Sequence, residues 1–266
     1  MGLSKFIRYV DPALYNDYQL ESFVQSNTTN TKVDVNEFIT KPVFKTKSFD
    51  AQPIQDLNVN HPARKYLEDR KVPIKNLFFV DDFAAFVKQT FPAVDKQLYK
   101  EPRIIIPFYD RNENLLGVQG RAIGASKIKY ITIKNDESVP KIFGWDRVET
   151  GKTMYVVEGP IDSLFLVNCL ATMDASLYHA ASVVGLDFDY VFVYDNEPRN
   201  KQIVSNMRKT IDMGRKICVW PSDIKEKDIN EMVLTGKHPS QIQHIIDNNT
   251  FSGLEATMKM NMWSRV

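Results

Sequence analysis

Short apolar runs alternate with helical patterns in the second half of the chain. Met154–Val157 and residues 190–194 are short enough for buried parallel strands, and each is followed by a carboxylate and then by a helical pattern. Two further strands are predicted at residues 182–185 and 216–220. The predicted helices cover residues 160–170, 203–211, Ile229–Leu234 and 240–246. Repeated strand–helix units of this length predict an α/β fold with a small parallel sheet and helices on both faces.

The first half of the chain predicts a mixed region of helices and hairpin strands. Helices are predicted at residues 62–70 and 81–90, and strands at residues 103–108, Leu115–Ala122 and 127–133. Residues 103–147 hold eight Lys and Arg against five Asp and Glu, a modest basic surplus. Residues before about 55 show no clear period and are predicted to be an extension and linker.

Composition narrows the protein class only in part. With 266 residues, 43% of them hydrophobic, the chain can form one larger domain or two modest ones. The net charge of +1 means that any nucleic-acid contact must come from a local patch. Cys169 and Cys218 have no partners at metal-binding spacing, which argues for buried thiols rather than a zinc ribbon or a disulfide framework. No signal-peptide core or membrane-length apolar run is found, so we predict a cytosolic protein without membrane contact.

Carboxylates dominate the stretch from Thr153 to Pro198, which contains no Lys or Arg. Its seven acids are Glu158, Asp162, Asp174, Asp187, Asp189, Asp195 and Glu197. Because parallel strands end at one edge of a sheet, those that follow the two strands are expected to lie together there. An acidic edge without a basic neighbour in sequence favours a hard divalent cation as its counter-charge. The alternative is that these acids are helix N-terminal and turn residues.

Two other candidate motifs are rejected. Residues 151–153, Gly-Lys-Thr, lack the earlier glycine of a phosphate loop, because Asp146 stands there, and they precede a strand rather than follow one. The four histidines are not spaced as a metal site or a catalytic dyad: His61, His179, His238 and His244.

The acidic stretch resembles the TOPRIM domain shared by bacterial-type primases, topoisomerases and several nucleases. The signature is Glu158-Gly-Pro-Ile-Asp162 after one strand and Asp195-Asn-Glu197 after the next. Upstream, residues 103–110 (Arg-Ile-Ile-Ile-Pro-Phe-Tyr-Asp), 117–121 (Gly-Val-Gln-Gly-Arg), 129–131 (Lys-Tyr-Ile) and 141–147 (Lys-Ile-Phe-Gly-Trp-Asp-Arg) resemble DnaG-type primases in colinear order. The acidic motifs are especially similar to primases of T-even-type phages, and residues 227–231 (Lys-Asp-Ile-Asn-Glu) resemble a further primase motif.

The resemblance implies a Rossmann-like TOPRIM sheet preceded by an α+β basic subdomain. The implied divisions are residues 1–59 as an extension, 60–150 as the basic subdomain, 151–236 as the TOPRIM domain and 237–266 as a helical tail. It implies synthesis of RNA primers by nucleotidyl transfer with Mg²⁺, Mn²⁺ being possible, and no zinc is expected in this chain. The implied partners are single-stranded DNA, ribonucleoside triphosphates and a replicative helicase, in the host cytoplasm if the chain is phage-encoded.

The resemblance also implies a set of site residues. Glu158, Asp195 and Glu197 are expected to be catalytic metal ligands, and Asp162 and Asp228 outer or second-metal ligands. Nucleotide and template binding are expected from Arg103, Arg121, Lys129, Tyr130 and Lys141. Arg199 and Lys201 are alternative counter-charges for the acids in the absence of metal.

The chain departs from the family pattern at three points. Glu197 stands where most members have aspartate, Asn230 replaces an acid, and the cysteines of an N-terminal zinc ribbon are missing. The ribbon could be a separate polypeptide, template choice could work otherwise, or the protein may not act as an autonomous primase. A TOPRIM nuclease and a non-catalytic nucleic-acid-binding replication factor therefore remain alternatives, while a topoisomerase-like strand breaker needs a further domain that we do not find.

Overall fold

Two five-stranded sheets form the fold. The structure is a computed structural model and describes residues 50–124, 126–173, 177–178, 180, 184–185 and 188–266. All of these residues belong to one compact unit, which begins at Thr46. In the described part of the chain, none of the helices is long and apolar enough to cross a membrane.

The first sheet is antiparallel, with its strands in chain order. The strands are β1 Gln52–Pro53, β2 Phe78–Val80, β3 Arg103–Tyr109, β4 Leu115–Ala122 and β5 Tyr130–Lys134. Helix α1, Pro62–Asp69, precedes β2, and helix α2, Phe83–Thr90, follows it. Arg121 of β4 pairs with Ile104 of β3 and with Tyr130 of β5, so it lies mid-sheet rather than at an edge.

The second sheet is parallel except at one edge. Its strands, in the order β10-β9-β8-β6-β7, are β6 Met154–Val157, β7 Cys169–Ala171, β8 Tyr190–Phe192, β9 Lys216–Cys218 and β10 Thr250–Phe251. Only β10 is antiparallel to its neighbour. The helices are α3 Pro160–Ser163, α4 Lys201–Asp212, α5 Ile229–Leu234, α6 Pro239–Asn248 and α7 Gly253–Trp263. Because β7 and β8 lie on opposite sides of β6, the strand order reverses at β6, the position where open α/β sheets bind ligands.

A continuous apolar core joins the two sheets. Ile104 and Phe108 of β3 belong to the same buried cluster as Val157 of β6 and Val191 of β8. Burial of such side chains contributes about 1.5–3 kcal/mol each. The relative placement of the two sheets is therefore fixed by packing.

The predicted α/β class and most predicted elements are confirmed, but the helix expected over residues 160–170 is wrong beyond Ser163. Leu170 lies in β7, because the chain turns back at Asn168, whose φ is +52°. The Asn168 side chain donates to the Thr153 carbonyl at 2.9 Å, which holds this turn. A short apolar run fits a helix or a buried strand equally well, so periodicity alone did not separate them.

Other differences concern short strands, and some predictions fall on residues that the structure does not describe. Strands β2 and β10 were not predicted, and β1 lies in what was read as a linker. The strand predicted from Ser182 falls outside the described residues except at its end, as do Asp174, Asp187, His179 and the chain before residue 50. Both cysteines are buried free thiols, as predicted.

Candidate functional site

Three carboxylates gather at the carboxyl edge of the second sheet. Glu158 follows β6, Asp162 lies in α3, and Asp195 follows β8 by three residues. Burial, together with the Asp195 and Glu197 carboxylates, raises the pKa of Glu158 to about 7. Burial and the nearby Asp228 raise the pKa of Asp162 to about 7 and that of Asp195 to about 6. These half-buried acids therefore repel one another when ionised, as expected of a site that binds a cation.

Glu197 differs from these three because it already has a cationic partner. Its Oε1 lies 2.8 Å from Nζ of Lys227, and its Oε2 accepts a hydrogen bond from Asn200. The bond from Lys227 lowers the pKa of Glu197. Arg199 and Lys201 were the predicted counter-charges, whereas the structure supplies Lys227, from the loop before α5. In the sequence, Lys227 was identified only as part of a primase-like motif and not as a counter-charge.

Asn230 connects the acidic edge to the first half of the chain. Its backbone N–H donates to Oδ1 of Asp162 at 2.9 Å. Its side chain accepts from Nη1 of Arg70 at 2.9 Å and donates to the Arg70 carbonyl at 2.8 Å. Asn230 is 4% exposed, so these bonds are shielded from water. The residue that replaces an acid of the family pattern thus positions Asp162.

Asp228 has a structural contact of its own. It is the N-cap of α5, where its Oδ1 accepts from the Glu231 backbone N–H at 2.8 Å. Among the described residues, no three His, Cys, Asp or Glu side chains are already grouped to hold a metal ion. The donor chemistry nevertheless fits a hard cation, since Glu158 and Asp195 supply oxygens whose repulsion a cation would relieve.

A basic and aromatic cluster from the first half of the chain lies within electrostatic range of these acids, and we call the region between the two groups the cleft. The acids and the basic cluster are its two walls. The Arg121 guanidinium lies over the Tyr66 ring at 4.9 Å and over the Tyr130 ring at 4.7 Å from the centroids, and it donates to the Tyr66 hydroxyl. Lys129 lies over Tyr130 at 5.7 Å, and Arg70 over Tyr66 at 5.0 Å. Burial lowers the pKa of Arg121, and burial and the nearby Arg121 lower that of Lys129. These positively charged side chains therefore lie close enough to repel one another.

The acidic and basic walls act on each other across the cleft. The Asp162 carboxylate raises the pKa of Arg121 against the effect of burial, and Asp228 does the same for Lys129. Tyr130 is 37% exposed, so part of its ring is open to a base. Arg121 Nε is buried and has no hydrogen-bond partner among the described residues. The cleft thus brings a cluster of carboxylates within electrostatic range of a cluster of basic side chains.

Arg103 does not belong to this wall, which corrects the sequence prediction. Its side chain is fully buried, and its guanidinium donates to the Gly120 and Ile128 carbonyls at 2.7 and 2.8 Å. It also pairs with Glu101 and lies 5.3 Å from the centroid of the Phe83 ring. All three guanidinium nitrogens donate to groups inside the protein, and the side chain is 0% exposed, so Arg103 stabilises the hairpin and is closed to a phosphate.

We expect Arg103→Lys to lower the free energy of unfolding by about 1–3 kcal/mol, because lysine cannot reproduce the guanidinium fork and leaves buried carbonyls unpaired. Urea unfolding followed by circular dichroism measures this. Arg111→Lys, at an exposed hairpin position, is the matched control. A loss no greater than that of the control would contradict the structural role of Arg103.

Lys141, a predicted nucleotide- or template-binding residue, is exposed. It acts electrostatically on Glu137, in the segment after β5. No described hydrogen bond or ion pair joins it to the cleft residues.

We compared the sequence with family models and with characterised proteins. No family model matches the chain. The DNA primase of Enterobacteria phage T4 is 31% identical over 280 residues, an alignment that covers 98% of this chain and 78% of that protein.

Solved structures resemble the chain in fold. The E. coli primase catalytic core has a TM-score of 0.57 at 15% identity, covering 79% of each chain. A DnaG primase catalytic domain bound to single-stranded DNA has a TM-score of 0.56 at 14% identity, covering 74% of each. The zinc-binding and RNA polymerase domains of Aquifex aeolicus primase give 0.56 at 20% identity, and this chain spans 57% of that one. The fold resemblance stated from sequence is confirmed.

Proposed function

Because the chain belongs to the DNA primase family, whose members synthesise RNA primers for DNA replication, we propose that the cleft between the two sheets is where primer synthesis takes place. The observation that supports this is that Arg121 lies within electrostatic range of Asp162, and Lys129 of Asp228. These two acids belong to the same cluster as Glu158 and Asp195. Nucleotidyl transfer needs both sets of charges. The carboxylates hold the metal ion, and the basic side chains hold the anionic phosphates that react.

Glu158 and Asp195 are the principal carboxylates of this proposal. They would hold Mg²⁺, with Asp162 and Asp228 as outer ligands. Glu197 would join them only after exchanging its contact with Lys227. Bound magnesium supplies charge neutralisation at the reacting phosphate and at the pyrophosphate leaving group. Without a cation, burial and the neighbouring carboxylates raise the pKa of Glu158 to about 7, and a bound ion would relieve this repulsion.

Arg121, Lys129 and Tyr130 are the proposed contacts for nucleotide and template. Arg121 is held between two tyrosine rings, which fixes its guanidinium for phosphate. Lys129 is exposed beside Tyr130, so one residue can contact a phosphate while the next stacks on a base. The substrates would be single-stranded DNA and ribonucleoside triphosphates.

Replacing Arg121 by Gln is expected to weaken single-stranded DNA binding about tenfold and to reduce the slope of log K against log salt by about 0.7, the value for one phosphate contact. Fluorescence anisotropy with a labelled oligonucleotide at several salt concentrations measures both. Lys88→Gln removes one exposed charge from α2 and is the control. A slope equal to that of the unaltered protein would remove Arg121 from the contact.

One assay separates primer synthesis from the alternatives. Single-stranded DNA is incubated with labelled ribonucleotides, with and without magnesium. Magnesium-dependent oligoribonucleotides are expected; cut DNA would favour the nuclease and binding alone the non-catalytic factor. A replicative helicase partner, the host cytoplasm and the division into a basic subdomain and a TOPRIM domain remain parts of this proposal.

A further inference from the structure

A cavity lies beside the acidic loop, with Asn196 in its lining. Its volume is about 670 Å³, which is in the size range of small-molecule sites, and α7 forms one of its walls. We call it the Trp263 pocket and define it by six lining residues: Asn196, Trp220, Lys225, Lys259, Trp263 and Arg265. Trp220 also lines the small cavity at Asp195 and Asp228, so one indole separates the pocket from the acidic edge.

The pocket is cationic, although it adjoins the most acidic part of the protein. Among the described residues, no Asp or Glu lines it, and none of its three cations forms an ion pair with a carboxylate. Lys259 lies over the Phe251 ring at 5.2 Å, and Arg265 Nη1 donates to the Met262 carbonyl at 3.0 Å. Lys225 donates to the Ser222 carbonyl. All three are exposed, so the site has an uncompensated positive charge that suits an anion.

Two tryptophans give the pocket an aromatic lining. The Trp220 Nε1 donates to the Tyr194 carbonyl at 2.7 Å, and the Trp263 Nε1 donates to Oδ1 of Asn196 at 2.9 Å. Both indole N–H groups are used inside the protein, and Trp220 is only 4% exposed. The half-buried Trp263 is therefore the ring that can offer apolar and π surface to a ligand. Such surface binds a planar base by stacking, without selecting among bases.

From this combination we infer that the Trp263 pocket binds a nucleotide unit, with the base against Trp263 and the phosphate against Lys225, Lys259 and Arg265. Two sources share this chemistry, a free nucleoside triphosphate and one unit of a single strand. The pocket is distinct from the cleft contacts at Arg121 and Lys129, which lie on the other sheet.

Occupancy of the pocket is coupled to the acidic loop through Asn196. This residue stands between Asp195 and Glu197 and accepts the bond from Trp263. Its own side-chain amide donates to the Ile224 and Glu226 carbonyls at 3.1 and 3.0 Å. A base that contacts Trp263 therefore lies one hydrogen bond away from the residue between these two acids.

Tryptophan fluorescence in EDTA tests the proposal, since two of the three tryptophans line the pocket. Without metal, a nucleotide cannot be held through a cation at the acidic edge, and the Arg121→Gln/Lys129→Gln background removes the cleft contacts. ATP and a short oligodeoxynucleotide are titrated separately. Saturable quenching by either supports the pocket and identifies the source; quenching by neither overturns it.

Charge-removal variants decide whether the quenching comes from this site. Lys259→Gln/Arg265→Gln is expected to lower the affinity about tenfold, and for the oligonucleotide to reduce the salt slope by about 1.4, twice the value for one phosphate. Lys88→Gln/Lys209→Gln removes two exposed charges elsewhere and should change neither. Both pocket changes are at exposed positions, so folding is not at stake. Equal affinity in the pocket variant and its control would overturn the proposal, even if primer synthesis is intact.

Discussion

Asp195→Asn is expected to lower the rate of primer synthesis strongly. The loss should exceed the reduction of about 10–100-fold that is typical when a group outside the metal's direct ligands is replaced. The same change is expected to stabilise the metal-free protein at about pH 8. Both effects have one cause. Asp195 lies in a half-buried cluster of carboxylates that repel it. The cation that neutralises this negative charge is also needed for the reaction.

The direction of the stability effect follows from the pKa of Asp195. It rises from 3.8 to about 6 on folding, so the folded state holds the proton more tightly than the unfolded state. Stability contributed by this group is therefore greatest below about pH 4 and declines as pH rises to about 6. Above that pH the ionised carboxylate costs about 1–3 kcal/mol, which the neutral amide removes.

Thermal unfolding in EDTA at about pH 5 and pH 8, together with the primer assay, tests both expectations. Asp189→Asn is the matched control, because Asp189 precedes β8 at the opposite end of the strand and pairs with Lys216 at 2.8 Å. That variant should lose stability slightly and retain synthesis. Normal synthesis by Asp195→Asn would contradict the metal assignment, and destabilisation at pH 8 would contradict the repulsion.

Magnesium is expected to stabilise the folded protein, and Glu158→Gln is expected to remove most of this effect. At about 100 times the dissociation constant, a ligand that binds only the folded state contributes about 2.7 kcal/mol. For a unit of this size that corresponds to an increase in Tm of about 5–11 °C. The Glu158 oxygens are among the proposed ligands, so the neutral amide weakens the site without changing its shape.

The measurement is a magnesium titration followed by differential scanning calorimetry, with Glu149→Gln as the control. Glu149 is exposed and pairs with Lys152 at 2.6 Å, before β6 and away from its carboxyl end. Its variant should show the full shift. An equal shift in Glu158→Gln would place the ion elsewhere, and no shift in the unaltered protein would argue against a cation at the acidic edge.

Local signals in the sequence predicted the sheet and its acidic edge well. Short apolar runs in the sequence place Glu158 and Asp195 at the ends of two strands. Neighbouring parallel strands end at the same edge of a sheet, so the two residues lie close together whatever the conformation of the loops between the strands. The predicted helix through Leu170 was wrong because a four-residue helix and a three-residue strand share one apolar run. The turn that separates them depends on Asn168 and its distant bond to Thr153.

The long-range contacts that complete the site could not be predicted from local sequence patterns. Lys227 neutralises Glu197 across 30 residues, and Arg70 reaches Asn230 across 160, so neither pairing has a periodic signal. Arg103 belongs to a primase-like motif and was read as a ligand-binding cation. Its burial depends on Gly120, where a Cβ would meet the Phe83 ring at 2.6 Å, and this close packing is a property of the folded sheet.

The bonds of Asn230 to Arg70 and Asp162 also bear on the entropy of binding. They join the two walls of the cleft before any ligand arrives, so the spacing between the basic and acidic groups is established during folding. A preorganised cleft loses little conformational freedom when a strand enters, and more of the contact energy remains as affinity. Association should then resemble the docking of a strand onto a rigid surface, rather than the closing of two hinged lobes around it.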